Sequence, residues 1–398
     1  MLISKHVASI KESPTLAIMD KARQMQAQKL DVAILAAGEP DFDTPQHIKD
    51  AAIKAILDGK TKYTSSSGIL ELKKAIVNKF HRENNLNYAT NQIIVSNGAK
   101  HCIYNTLKAI INEGDEIIIP SPYWVSYPDM VLLCGGVPVT IKCDENTRYK
   151  LTAQQLESTI TNKTKALILN SPSNPTGMVY TETELKALAD VLEKHPDVIV
   201  ISDDIYEHIL FEDKPFLNIA NVSENLKART VVINGVSKAY AMTGWRIGFL
   251  ACDNTTLVKT IDNIQSQSTS NACTISQYAA LAALNGGLDC VKPMRKAFIE
   301  RHNYVVERIN KINGLSCLSA QGAFYTFFKC DIAIENMYQK GKISEKTDLA
   351  FANYLLDSAL VAGVPGSAFG LDNHIRISFA TSLNEIILAL DRIEQALK

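Results

Sequence analysis

Lys238 stands just past the end of an apolar, β-branched run that opens at Thr230, and Arg246 follows eight residues later in S-K-A-Y-A-M-T-G-W-R-I-G. An ε-amine in that place is either a surface charge or a nucleophile. Other runs that read as strands end in equally polar strings: Asn97-Gly98-Ala99-Lys100, Ser121-Pro-Tyr123-Trp124, Asn170-Ser-Pro-Ser-Asn174-Pro-Thr-Gly177 and Asp203-Asp204-Ile-Tyr206. Ligands of open α/β sheets collect beyond the carboxyl ends of the strands, so these strings are where chemistry is expected.

Together they match the needs of an anionic aromatic aldehyde. A phosphate calls for backbone N–H groups at a helix start and a fixed cation, which Gly98, Ala99, Lys100 and Arg246 offer. A flat ring calls for a stacking partner, Trp124 or Tyr123. A ring nitrogen that keeps its proton calls for a buried carboxylate such as Asp203, and a phenolate oxygen for donors such as Asn174 and Tyr206. The aldehyde calls for an amine, Lys238 beside Ser237. Pyridoxal phosphate meets every one of these demands.

The elements that must hold these residues are legible in the hydrophobic pattern. Strands are expected at 93–96, 116–120, 166–170, 198–201 and 230–233, with a helix from Ala99 through Ile110. Thr181-Glu-Thr-Glu184 is a capping box, and it opens a helix with Leu185, Leu188, Ala189 and Leu192 on one face. Strand, helix, strand in succession predicts right-handed crossovers and a mostly parallel sheet covered on both faces. Later the pattern changes. Met294, Phe298, His302, Val305 and Ile309 predict a long helix ending near Gly314; strands are expected at 323–328 and 374–379, a helix at 349–360, and a last helix capped at Ser382.

Bulk properties exclude several classes. A chain of 398 residues with 46% hydrophobic and 21% charged residues is an ordinary folded protein of about two domains. A net charge of -1 gives no global case for nucleic acid or an anionic membrane. Eight cysteines lack C-x-x-C or metal-ligand spacing, and no 18-residue apolar stretch or signal-like N-terminus occurs; the expectation is a cytoplasmic protein with reduced thiols and no metal.

Each residue alone also has a plainer reading. Lys238 and Lys100 would be solvated lysines, Trp124 core packing, Asn174-Pro-Thr-Gly177 a turn, and Arg376 one half of a surface ion pair. Asp203 and Asp204 would cap a helix or, with His208, hold a metal. Gly59-Lys60-Thr61 fails as a P-loop because Lys54 stands where a glycine is required.

The strings in combination settle the choice. S-P-S-N-P-T-G, the D-x-I-Y 29 residues after Asn174, S-K-A-Y-A-M-T-G-W-R-I-G, a late R-I-S-F-A, and near the start A-G-E-P-D-F-D-T-P and G-K-T-K-Y resemble the class I aminotransferases of the fold-type I pyridoxal phosphate superfamily, over essentially the whole chain. Within them the match is to the bacterial aspartate/prephenate subgroup. The resemblance implies an α/β protein: a large domain, 46–288, with a mostly parallel seven-stranded sheet, and a smaller α+β domain, 289–398, joined by the N-terminal segment 1–45. It implies Lys238 as Schiff-base lysine and proton carrier, Asp203 as pyridinium partner, and Asn174 and Tyr206 as ligands of the phenolate oxygen. Trp124 is then the stacking ring, Arg246 the phosphate arginine, and Arg376 the grip on the substrate α-carboxylate, with Gly38 against the substrate. Tyr63 reaches the phosphate of a neighbouring subunit, so a homodimer is expected.

Amino acids and 2-oxo acids are the expected small-molecule partners, with aspartate and 2-oxoglutarate as the pair. Ser13, Thr15 and Lys100 match the positions that meet the acidic side chain, and Lys11 the one associated in some members with prephenate, giving arogenate. Two positions depart from the pattern: Glu12 stands where proline is common, and Asp204 replaces a glutamate, keeping its charge. A C–S β-lyase or an aromatic or branched-chain aminotransferase shares Lys238, Asp203, Asn174 and Arg376; Lys100 with Ser13 and Thr15 favours acidic substrates. A ligand-sensing regulator domain is not expected, since the sequence leaves no room for a DNA-binding module before Lys11.

Overall fold

A computed structural model describes residue 10 and residues 14–398, the side chains of 14 and 15 excepted. Helix Pro14–Ala27 is followed by β1 (Ala33–Ile34) and by helices Gln46–Leu57 and Leu70–Asn84. Strands and helices then alternate: β2 (Ile93–Ser96), helix Ala99–Ile110, β3 (Glu116–Ser121), helix Ser126–Leu133, β4 (Val137–Lys142), helix Ala153–Thr159, β5 (Thr164–Asn170), helix Glu182–Glu193, β6 (Ile199–Asp203), β7 (Thr230–Gly235) and β8 (Gly248–Ala251).

These seven strands form one sheet in the order β2-β8-β7-β6-β5-β3-β4. Only β8 runs against its neighbours, pairing antiparallel with β2 and β7, so the sheet is mostly parallel. The strands inside the sheet bury both faces with a period of two, whereas the edge strand β4 keeps exposed positions. Ile94, Ile168, Ile201, Val231, Ile233 and Leu250 pack on one side with Ile103 and Leu107 of helix Ala99–Ile110. Leu167, Leu169 and Val200 pack on the other against Leu185, Leu188 and Leu192 of helix Glu182–Glu193. Doubly covered strands read as unbroken apolar runs, as the sequence pattern required. Thr181 caps that last helix reciprocally: its hydroxyl accepts from the Glu184 amide, and its own amide donates to Glu184.

Helices Thr255–Ser268, Thr274–Asn285 and Lys292–Ile309 come next, the last burying Met294, Phe298, His302, Val305 and Ile309 as their spacing predicted. Beyond it lie β9 (Ser316–Cys317), β10 (Tyr325–Lys329), helices Asp331–Gln339 and Asp348–Ala359, β11 (Val361–Ala362), β12 (Val364–Pro365), β13 (His374–Ser378) and helix Leu383–Leu397. A second, antiparallel sheet has the order β12-β13-β10-β9. β1 pairs in parallel with β11, and the Ser378 amide donates to Leu35 O at 2.6 Å, tying the start of the chain to its last third. Among the described residues no helix is long and apolar enough to cross a membrane.

Candidate active site

A cleft of about 460 Å³ opens at the carboxyl ends of β5, β6 and β7. Asn174, Asp203, Tyr206 and Lys238 reach it from those strand ends; Ala99, Lys100 and Trp124 from the loops after β2 and β3; Gly38 and Arg376 from the N-terminal segment and β13. Residues separated by more than three hundred positions thus share one space.

Asp203 ends β6 and is buried. Burial pushes its carboxyl up to about 6, while the Tyr127 hydroxyl, donating to Oδ2 at 2.7 Å, and the Ile205 amide hold it from rising further. The Asn170 side chain fixes the same corner, donating to Asp203 O at 2.8 Å and accepting from the Asn174 amide at 2.8 Å.

Lys238 donates to Gly38 O at 2.6 Å. Burial lowers its ammonium to about 8, against the opposing pull of Glu39 and Asp203. A lysine so placed is partly free amine at neutral pH, which is the condition for a nucleophile or a base.

Arg376 lies on β13, 3% exposed, between the rings of Tyr325 and Phe369, 4.7 and 5.0 Å from its guanidinium carbon. It donates to Ala36 O at 2.6 Å and to Asn174 Oδ1 at 3.2 Å, but its Nε has no partner. A buried donor without an acceptor is costly, so a ligand oxygen is wanted there. Tyr206 and Tyr325 share a hydroxyl–hydroxyl hydrogen bond of 3.0 Å beside it.

The anion cradle is built by absences of side chains. Gly98, at φ 89°, ends the turn into helix Ala99–Ile110, and a Cβ on it would overlap the Arg246 guanidinium. A Cβ on Gly248 would overlap the Ala99 amide nitrogen. Arg246 is braced by donation to Thr243 O at 2.9 Å and Asn97 O at 3.3 Å. Lys100 lies over the Trp124 ring at 4.8 Å. Lys100, Lys238, Arg246 and Arg376 have no carboxylate within ion-pairing distance among the described residues.

Not every expected residue is found in this cleft. Gly98 is not part of its lining, and neither is Tyr63, which is 90% exposed. Lys11 and Ser13 lie outside the described residues, as does the side chain of Thr15. Asp204 lies buried between Ser202 and Asn218, where burial, reinforced by Glu207, pushes its carboxyl up to about 8. Nor do Asp203 and Asp204 meet His208, which turns instead to Glu83 at 2.9 Å. Tyr127, Tyr325 and Asn170 were missed. Tyr325 sits in an apolar stretch that reads as core, Tyr127 stands between Ser126 and Pro128 just past the Ser121–Trp124 string, and only Asn170, at the head of the 170–177 string, carried a positional hint.

The donor set fits pyridoxal phosphate: a cation and helix amides for phosphate, a ring to stack on, a buried carboxylate, and an amine of lowered pKa. The chain belongs to the class I and II aminotransferases, whose family model matches residues 31–393. Over 397 residues, all of both chains, it is 50% identical to an aspartate/prephenate aminotransferase of Nitrosomonas europaea. It is 48% identical to an aspartate aminotransferase of Bacillus sp. strain YM-2, covering 100% of this chain and 99% of that one. Among solved structures, the aspartate aminotransferase of Rhizobium meliloti superposes with a TM-score of 0.95 at 46% identity, covering 100% of this chain and 99% of that one. That of Thermus thermophilus with maleate superposes at 0.92 and 38% identity over the whole of both.

Proposed function

We propose that this chain transfers the amino group of L-aspartate to 2-oxoglutarate, giving oxaloacetate and L-glutamate, and that prephenate is a second oxo-acid substrate, aminated to arogenate with glutamate as donor. The observation that carries the reading is the cleft whose four basic side chains, Lys100, Lys238, Arg246 and Arg376, have no carboxylate partner among the described residues. A phosphorylated cofactor and a dicarboxylic substrate supply the missing anions. The full-length relatives named for aspartate and prephenate, and the relative solved with the dicarboxylate maleate, support the same choice.

Gly98, Ala99 and Arg246 would hold the phosphate, Trp124 the ring face, Asn174 and Tyr206 the phenolate oxygen, and Lys238 the carbonyl carbon. Bound there, pyridoxal phosphate supplies that carbon and a ring that draws in an electron pair once its nitrogen is protonated. Asp203, largely ionised at neutral pH with a pKa of about 6, holds the proton on that nitrogen. Arg376 binds the substrate α-carboxylate and fixes the plane of approach. Lys100, with Ser13 and Thr15, meets the acidic side chain, and Lys11 serves prephenate. Lys238 takes the proton from the substrate Cα and returns it, its lowered pKa suiting both directions.

The large part, 46–288, carries the cofactor ligands; the part formed by 289–398 with 1–45 brings Arg376 and Gly38 to them. The working form is a cytoplasmic homodimer in which Tyr63 completes the neighbour's phosphate site. Supplied with pyridoxal phosphate, aspartate and 2-oxoglutarate, the protein is expected to release oxaloacetate, followed through malate dehydrogenase and NADH. Turnover with tyrosine or leucine but not aspartate would overturn the substrate assignment. Pyruvate and ammonia from cystathionine, without amino transfer, would replace it with a lyase.

A further inference from the structure

Outside the lining of the cleft lies a buried charge cluster that no step of the proposed reaction uses. Lys79 is on the inward face of helix Leu70–Asn84 with Leu72, Ala75, Ile76 and Phe80, and is 1% exposed. An ammonium on an apolar face is tolerated only when paired and hydrogen-bonded. Its Nζ contacts Glu207 Oε1 and donates to Asn84 Oδ1 at 2.6 Å. The other oxygen of Glu207 accepts from Asn84 Nδ2 at 2.6 Å. The His208 Nε2 lies 2.9 Å from Glu83 Oε2 and 3.4 Å from Glu207 Oε1.

Glu83, Glu207 and His208 place one ligand atom each within 4.8 Å of one another, the spacing of a cation site. The cation is already present, as the Lys79 ammonium. Burial works to raise both carboxyls, yet the His208 hydrogen bond and the Lys79 charge hold Glu83 at about 2, and Lys79 with His208 keeps Glu207 low.

What this cluster grips is the turn directly after Asp203. Its backbone is closed by the Glu207 amide on Asp204 O at 2.9 Å and the Ile209 amide on Tyr206 O at 2.8 Å. Tyr206 lines the cleft with its hydroxyl on Tyr325, whereas Glu207, the next residue, enters the cluster. One turn therefore carries a cleft group and an anchor on successive residues.

We propose that Glu207, locked to Lys79 and Asn84, is a positioning residue for the reaction: it fixes the turn that aims the Tyr206 hydroxyl into the cleft. This rests on the reading of Tyr206 as a group that holds the cofactor's phenolate oxygen. Small misplacements remote from the reacting atoms cost one to two orders of magnitude in rate, so the anchor is felt in kcat.

The experiment compares holoenzymes. In Glu207→Gln the pH at which the bound cofactor's absorption titrates is expected to rise by about half a unit or more, since a donor to the phenolate oxygen is loosened. With it, kcat falls about tenfold while the KM for aspartate changes by less than about threefold. Lys79→Met/Glu207→Met removes both charges at similar volume, so its Tm is expected to recover toward wild type while the absorption shift remains. That separates aim from stability, and it serves if the single variant does not fold. A double variant with wild-type absorption midpoint and kcat would overturn the proposal. An EDTA-treated wild type that reproduced the Glu207→Gln shift would assign the cluster to a metal ion and overturn it as well. A wild-type chain that takes up no cofactor would defeat the proposed function and this inference together, whereas a competent wild type with unaltered variants defeats the inference alone.

Discussion

The reactivity of Lys238 follows from where its amine is kept. Burial disfavours the ammonium, so the native group titrates near 8 while an unfolded lysine titrates near 10.5. Between these values the unfolded chain binds the extra proton, so the site costs stability below about pH 8 and that cost is relieved as pH rises through the window. In the cofactor-free protein the reaction of Lys238 with an amine reagent, read by peptide mass, is therefore expected to rise with a midpoint near 8; a midpoint above 10 would contradict the environment described. Lys238→Ala is expected to lower kcat by about 10³-fold or more, the loss of both an amine and a proton carrier. Arg376 makes a different demand, since its Nε awaits an acceptor. Charged hydrogen bonds contribute about 1.5–3 kcal/mol each, so Arg376→Lys should reduce kcat/KM for aspartate about 100-fold, mainly through KM. Lys238 was legible because it follows a strand in a polar string, whereas Arg376, in the middle of β13, was legible only through the resemblance that its R-I-S-F-A string carries. Tyr127 and Tyr325 were not: their partners Asp203 and Tyr206 are 76 and 119 positions away, and nothing local to a tyrosine says which distant group its hydroxyl will meet.

At the scale of elements, apolar runs and caps revealed the five strands buried on both faces, the helix after Thr181 and the helix through Phe298. β4 escaped because it is an edge strand with exposed positions, including Val137 at 45%, so its pattern is broken. β8 escaped because Gly-Phe-Leu-Ala is short and follows the Arg246 string at once. Yet β8 matters to the site: it is the antiparallel strand wedged between β2 and β7, and its first residue, Gly248, packs against the amide that opens helix Ala99–Ile110. A methyl group there would overlap the backbone of Gly98 and Ala99, so the helix start must shift. Gly248→Ala is therefore expected to weaken pyridoxal phosphate binding about tenfold or more, measured by quenching of tryptophan fluorescence, with a smaller change in KM for aspartate; helix N-termini hold phosphate only at hydrogen-bond distance. An unchanged affinity would mean that the helix start does not hold the phosphate.

At the scale of the molecule, one expected ligand is out of place for a self-sufficient chain. Tyr63 is 90% exposed, and Ile53, Ile56, Leu57 and Leu70, which flank it in sequence, are all more than half exposed. This exposure is what the proposed homodimer requires, since a two-fold axis would cover such side chains and carry each Tyr63 to the other subunit's cradle. Hybrid dimers test this directly. Tyr63→Ala and Lys238→Ala each damage the enzyme, the first through weakened cofactor binding and the second through loss of the amine. If Tyr63 serves the neighbouring site, a hybrid of the two contains one site with both lesions and one with neither, because the intact Lys238 faces the intact Tyr63 of the other subunit. Mixing the variants under dissociating conditions and reassembling them should then return about one quarter of wild-type activity, the mixture being half hybrid and each hybrid having one whole site. If Tyr63 serves its own chain, both sites of every hybrid stay damaged and reassembly restores nothing, so the activity of the mixture alone decides between a shared and a private phosphate site.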